Sequence, residues 1–198
     1  MTEADDRIMS ATYCALCKHG YADLTMHDIA VEYEQSKGNL HYHYDTKRDL
    51  LLGFLDHLVE RFRGRLPDED APPEERLEGF LDATLSPSDG GSHREFRTAL
   101  LELKAQAPYD EAFRDRLAAL DALLRETLRD IVEDGIESGV FAEDADPCAL
   151  TDLTATVIDG AHVRAVTFGE SPAAARELLA TRFETHLFRE AAEPWVAG

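Results

Sequence analysis

Cys14 and Cys17, three residues apart with His19 close behind, are side chains whose types and spacing suggest chemistry. Thiolates and imidazoles bind zinc, and a Cys-x-x-Cys pair can also be a redox unit. On a helix, however, positions i and i+3 supply only two ligands. Neither a second Cys-x-x-Cys nor a His pair follows to close a tetrahedral site. His41 and His43 are two apart, a spacing that a helix points in different directions. No nucleophile–base spacing, glycine-rich phosphate loop or HExxH run supports catalysis. The expectation is a protein that is not an enzyme, with no metal and no cofactor. A metal or redox sensor built on Cys14 and Cys17 is the rival reading.

A second group of residues suits recognition. Lys37, Asn39, His41 and Tyr42 carry donors and acceptors for base edges and phosphates. The elements that must position them are read from Thr25 to Tyr44, TMHDIAVEYEQSKGNLHYHY. Thr25 caps a first short helix, and Asp28 stands where a capping box places Glu or Gln. Met26, Ile29, Ala30 and Tyr33 then fall at helical spacing on one face. Ser36 is a second cap candidate, opening a helix over 37–44 with Leu40 facing inward. Gly38 costs about 1 kcal/mol inside a helix relative to Ala, which signals a close approach of some other group to the backbone. Two short helices joined by a tight break, the second rich in long polar side chains, make a helix-turn-helix pattern for the DNA major groove. Thr46 caps a further helix with Asp49 three residues later. Leu50, Leu51, Phe54, Leu55, Leu58, Val59 and Phe62 give it an apolar face to about residue 64. Lys47, in its first turn, suits a phosphate together with the backbone N–H groups there.

These residues carry a resemblance. Gly20-Tyr21, Thr25 to Ala30, Ser36 to Leu40 and Tyr42-His43-Tyr44 fall in the order and spacing of the tetracycline-repressor (TetR) family of transcription regulators, and Thr46 to Leu51 follow as that family's next helix start does. The resemblance covers residues 7–55. It implies that Thr25, Ser36, Lys37, Gly38, Asn39, His41, Tyr42 and Lys47 form the DNA-binding set, with DNA as the group that approaches Gly38. It places Cys17 at a small packed position, Cys14 on the exposed side, and Tyr44 where the family often has Phe. Two positions depart from the family. Glu34 replaces a turn glycine, so a residue with a Cβ must accept that backbone or the turn must differ. His41 stands where Tyr is frequent.

Beyond Pro67-Asp-Glu-Asp-Ala-Pro-Pro73, read as a linker, every segment is helical in pattern. Helices are expected over 74–86, 92–106, 109–138, 147–166 and 172–190, with a loop over 86–92 and a stop near Gly139. With a first helix over 4–19, stopped by Gly20, the architecture is all-α, with about nine helices. Residues 1–64 are read as the DNA-binding domain with its connector helix, and 65–198 as a regulatory and dimerisation domain. Phe96, Leu100, Phe113, His162 and Phe168 are candidates for an effector pocket, and each also reads as ordinary core. The resemblance implies that the last two helices pair across a homodimer, through Leu153, Val157, Ala161, Leu179, Phe183 and Leu187.

Charge sharpens the picture. The chain of 198 residues holds 40 acidic and 20 basic side chains, a formal net charge of −20. DNA-binding proteins normally show a basic footprint. Here residues 1–65 hold 11 acidic and 8 basic residues, against 29 and 12 in residues 66–198, so the acid lies mostly outside the proposed reading head. Such an excess fits a salt-adapted protein of a halophilic host, because concentrated salt screens self-repulsion. Three cysteines without framework spacing fit a reducing cytoplasm. No 18-residue apolar run predicts a membrane span, and no secretory signal pattern opens the chain. The function expected is a ligand-responsive regulator, a repressor, that binds a palindromic DNA operator as a homodimer and answers to an unknown small molecule. A diverged helix-turn-helix that serves as an interaction module without DNA is the alternative.

Overall fold

A computed structural model describes residues 3–35, 37–85 and 92–188. Among them the chain forms nine helices: α1 (Glu3–Asp23), α2 (Met26–Glu32), α3 (Lys37–His43), α4 (Lys47–Arg63), α5 (Pro73–Leu85), α6 (Ser92–Lys104), α7 (Glu111–Glu137), α8 (Pro147–Phe168) and α9 (Ala173–His186). The all-α architecture expected from periodicity is what the chain adopts. Most of the expected 86–92 loop and the Ser36 cap lie outside the described residues.

Helix ends follow local chemistry. Asp110 caps α7, its Oδ1 accepting the N–H groups of Ala112 (3.0 Å) and Phe113 (3.4 Å). That cap starts the helix at Glu111, two residues later than the sequence pattern suggested. Gly139 (φ 74) ends it as expected, in the left-handed region that glycine tolerates. Asp146 accepts the N–H groups of Cys148 and Ala149 at 2.9 and 3.1 Å, with Pro147 in the first helical position. Gly20 breaks α1 as expected: its φ of 68 and ψ of 175 are non-helical and interrupt the ladder, and a short helical stretch continues beyond the kink to Asp23.

The described residues divide into two compact units. The first comprises those within 1–64, 88–122 and 163–169. Its core gathers Ile8, Ala15 and Leu16 of α1, Ile29 of α2, Leu40 of α3, Leu50, Phe54 and Leu55 of α4, Ala99 and Leu103 of α6 and Phe113 of α7. Leu52 is buried as well. The second comprises those within 65–87, 123–162 and 170–198. Leu77, Phe80 and Leu81 of α5, Leu128, Ile131 and Val132 of α7, Ile158 of α8 and Leu179 and Phe183 of α9 are among its buried apolar side chains, with Phe141 beyond α7. Arg176 of α9 reaches Asp82 (2.6 Å) and Glu78 (3.5 Å) of α5, and Arg76 of α5 pairs with Asp134 of α7.

Candidate nucleic-acid interface

The candidate interface is built on α2 and α3. Thr25 is the N-cap of α2. Its Oγ1 accepts the Asp28 N–H at 3.2 Å, while Asp28 Oδ2 accepts the Thr25 N–H at 2.9 Å, completing the capping box. The hydrogen bond from the Thr25 hydroxyl, first, and from its backbone N–H hold the Asp28 carboxyl below its ordinary pKa. Lys18 of α1 grips Glu32 at 2.8 and 2.9 Å and anchors the far end of α2.

The turn that follows answers the question raised by Glu34. Tyr33 closes α2, Glu34 N–H donates to Val31 O at 3.1 Å and Gln35 N–H to Ala30 O at 3.3 Å. These are the two bonds of a Schellman motif, whose next residue is normally glycine. Glu34 takes that left-handed position itself, with φ 56. The turn keeps its form, and the Cβ accepts the backbone.

On α3, Leu40 is wholly buried, while Gly38, Asn39, His41, Tyr42 and His43 are exposed. At 100° per residue, Gly38 and Tyr42 project furthest from Leu40, flanked by Asn39 and His41. Tyr42 is 87% exposed, its ring edge-on to His43 at 5.3 Å. His41 Nδ1 lies 3.1 Å from Asp45 O, which orients the imidazole. The side chain of Lys37 lies outside the described residues. A helix with a hydrophobic keel and an amide, an imidazole and a phenol on its outer side is equipped to hydrogen-bond base edges and phosphates.

Tyr44 packs as expected. A Cβ added to Gly53 of α4 would lie 3.1 Å from its ring, and burial raises its phenol's pKa. Thr46 caps α4, its Oγ1 accepting the Asp49 N–H at 3.1 Å. Lys47 sits differently from a lysine reaching only outward. Its Nζ donates to Tyr21 O (2.9 Å) and Leu24 O (2.8 Å) and lies 4.9 Å from the centre of the Tyr21 ring. Of three ammonium protons, one remains for a phosphate. Desolvation lowers its pKa, against a smaller opposing effect of Asp23.

The remaining candidates are distributed as follows. Phe96, Leu100 and Phe113 join the apolar cluster of the first unit. The Phe96 ring lies 4.8 Å from that of Tyr13, and the Phe113 ring stands edge-on to Tyr21 at 6.4 Å. His162 belongs to the second unit, with Nε2 3.0 Å from Thr84 O. Phe168 is 65% exposed beneath the Arg164 guanidinium. Cys14 is exposed and Cys17 half-buried. Of the dimer candidates, Ala161, Leu179, Phe183 and Leu187 are buried inside their own chain, whereas Leu153 is 42% exposed and Val157 half-buried. Leu178, an apolar residue of the last helix that is not among those dimer candidates, is 64% exposed.

The sequence reading also missed what holds the head to α6 and α7. Glu102 of α6 accepts the Tyr21 N–H. Arg48 forms a two-pronged pair with Asp110 at 2.5 and 2.8 Å, and Arg116 meets Asp56 at 3.1 Å. A glycine at the kink was the one local signal that something approaches there.

Comparison with known proteins agrees with this fold. Residues 8–53 match the family model for bacterial regulatory proteins of the tetR family, and residues 73–187 match that for the C-terminal part of BetI-type transcriptional repressors. A TetR transcription regulator from Haloarcula marismortui is similar in structure, with TM-score 0.85 and 41% identity over 94% of this chain and 100% of that one. A transcriptional regulator from Saccharomonospora viridis in complex with choline has TM-score 0.81 and 25% identity, covering 96% of this chain and 100% of that one. An uncharacterised HTH-type transcriptional regulator of Bacillus subtilis, YerO, is 29% identical over 106 residues, 51% of this chain but only 36% of its own length. The chain is a member of the TetR family of transcriptional regulators.

Proposed function

We propose that the chain works as a homodimeric, ligand-responsive repressor in the cytoplasm of a halophilic host, acting by binding rather than catalysis. The observation that carries the DNA-binding part is α3, with Leu40 buried and Asn39, His41 and Tyr42 turned outward behind an intact capping box. Thr25, Ser36, Lys37 and Gly38 complete the reading surface, and Lys47 adds a phosphate contact with its remaining proton. The reading head with its connector is assigned to residues 1–64, and regulation and dimerisation to 65–198. Repression is supported by the BetI-type repressor match over residues 73–187. The acidic excess and the Haloarcula relative support the host.

Dimerisation is assigned to the outer face of α8 and α9, where Leu153, Val157 and Leu178 stand clear of the subunit core. Gly160, where an added Cβ would meet nothing within 4 Å among the described residues beyond its own stretch of helix, leaves room for a partner helix. Two heads then meet half-sites about one helical turn apart, roughly 34–36 Å. A small effector in the helical body shifts the dimer toward spacings that fit DNA poorly, and by linkage DNA weakens effector binding by the same factor. Choline is the first effector to test, since the Saccharomonospora structure holds it.

The deciding experiment is selection of bound fragments from genomic DNA at high potassium chloride. The expected product is a palindrome with two half-sites. Asn39→Ala should lower its affinity relative to scrambled DNA by about 1–3 kcal/mol, the value of one bidentate base contact. Recovery of no enriched sequence would favour the interaction-module reading. An unchanged specific-to-scrambled ratio in Asn39→Ala would displace the reading face from α3.

A further inference from the structure

We propose that Glu102, on α6, is a positioning residue for DNA binding: it fixes the backbone N–H of Tyr21, and the carbonyl of the same residue holds the ammonium of Lys47. The proposal rests on Lys47 being a phosphate contact, as assigned above.

The geometry begins at Gly20. Its φ of 68 and ψ of 175 lie in a region that essentially only glycine adopts. That kink takes the next N–H, of Tyr21, out of the helical ladder. Glu102 Oε2 accepts it at 2.5 Å, from a residue 81 positions away. The carboxylate is seated against the glycine itself, since an added Cβ would lie 3.0 Å from Oε2 and 3.4 Å from Oε1. Gly20 therefore serves twice, supplying the backbone conformation and the space.

The other end of Tyr21 faces α4. Its carbonyl and that of Leu24 take two of the three protons of Lys47, and its ring underlies the same ammonium. Tyr21 thus lies between a carboxylate on α6 and a cation at the start of α4. Without Glu102, a half-buried N–H is left unpaired and the 20–24 segment is free to move. Lys47 then either follows that segment or lets go of it. In both cases its third proton no longer points in one direction.

A purely structural cap makes a different prediction from a positioning residue. A cap changes stability and leaves the number of phosphate contacts alone. A positioning residue removes the Lys47 contact and with it about one unit of the log–log salt slope. The test uses the full chain and two duplexes of equal length, the selected fragment and its scrambled counterpart, titrated over a range of KCl. Glu102→Ala and Lys47→Ala should each weaken both duplexes about tenfold and reduce the slope by about one unit. The double variant should bind no worse than the weaker single variant, because both remove the same contact. Glu102→Gln keeps an acceptor oxygen and should recover binding to within about threefold of wild type. Should Glu102→Ala fail to fold, Glu102→Asp, which withdraws the carboxylate by one methylene, takes its place in the same cycle. Additive losses, or an unchanged salt slope in the Glu102 variant, overturn the proposal while leaving DNA binding intact. A wild-type protein that binds neither duplex overturns the operator reading and this proposal with it.

Discussion

Glu34 occupies the left-handed position of a Schellman turn with φ 56. An L-residue there crowds its Cβ against the following carbonyl, at a cost of roughly 1–2 kcal/mol that glycine avoids. Glycine returns part of that through its larger unfolded-state entropy. Glu34→Gly should therefore stabilise the protein by about 0.5–1 kcal/mol. It also removes a negative charge from the head, so affinity for random DNA should rise at the same time. Thermal unfolding and a titration with scrambled duplex check the two effects; a lower melting temperature would show that the Glu34 side chain makes a compensating contact. Thr151 and Thr154 make a second case at this scale. Both are buried on one face of α8, and neither hydroxyl has a hydrogen-bond partner among the described residues. Thr12 and Thr156 instead donate to the carbonyl one turn back, at 2.8 and 2.7 Å. A buried unpaired hydroxyl costs about 1–3 kcal/mol, and valine has nearly the same shape. Thr154→Val should raise stability by about 1 kcal/mol in a denaturant titration. A clear loss would mean that the hydroxyl is bonded after all.

Helix ends were the most legible part of the sequence, because caps are local. Thr25 with Asp28, Thr46 with Asp49, Gly139 and Pro147 each announce a boundary within a few residues, and each boundary lies where they place it. What covers a helix is not local. Leu178 and Leu179 are adjacent apolar residues on α9, yet the first is 64% exposed and the second buried. Periodicity marks both as apolar and does not say which one faces the subunit's own core. Pairs such as Arg48 with Asp110 or Arg176 with Glu78 are equally invisible, being 62 and 98 residues apart. Gly135 on α7 was hidden for the same reason. A Cβ there would lie 1.9 Å from Cδ2 of Phe141. That ring is buried, tied by Phe141 N–H to Gly135 O at 2.8 Å and edge-on to Phe188 at 5.3 Å. It cannot yield cheaply. Gly135→Ala gains about 1 kcal/mol of helix propensity, but the overlap outweighs it. A net loss of about 1–3 kcal/mol is expected, as for overpacking. A lower urea midpoint at unchanged slope would report it; unchanged or higher stability would mean the turn after α7 can open without cost.

At the scale of the whole molecule, a net charge of −20 has to coexist with binding to a polyanion. Part of the acid lies in the head itself. An open groove of about 380 Å³ between α1 and the end of α2 is lined by Glu3, Asp6, Glu32 and Glu34, against the guanidinium of Arg7. A basic repressor displaces counterions from DNA, so the logarithm of its affinity falls with the logarithm of salt at about 0.9 per phosphate contact. Carboxylates brought up to phosphates act in the opposite sense. They repel the DNA, and this repulsion is screened as salt rises. They also favour uptake of cations on binding, which cancels part of the release. The observed slope should then be shallower than the number of phosphate contacts implies. Binding titrations over a wide range of KCl give the slope, and phosphate-by-phosphate substitution with neutral methylphosphonates gives the number of contacts. Glu34→Gln, which removes one charge near the turn, should steepen the slope. A wild-type slope equal to about 0.9 times the contact count would show that the head's carboxylates stand too far from the DNA to matter. The acidic surface would then serve the protein's own hydration in salt and leave its reading of DNA unaffected.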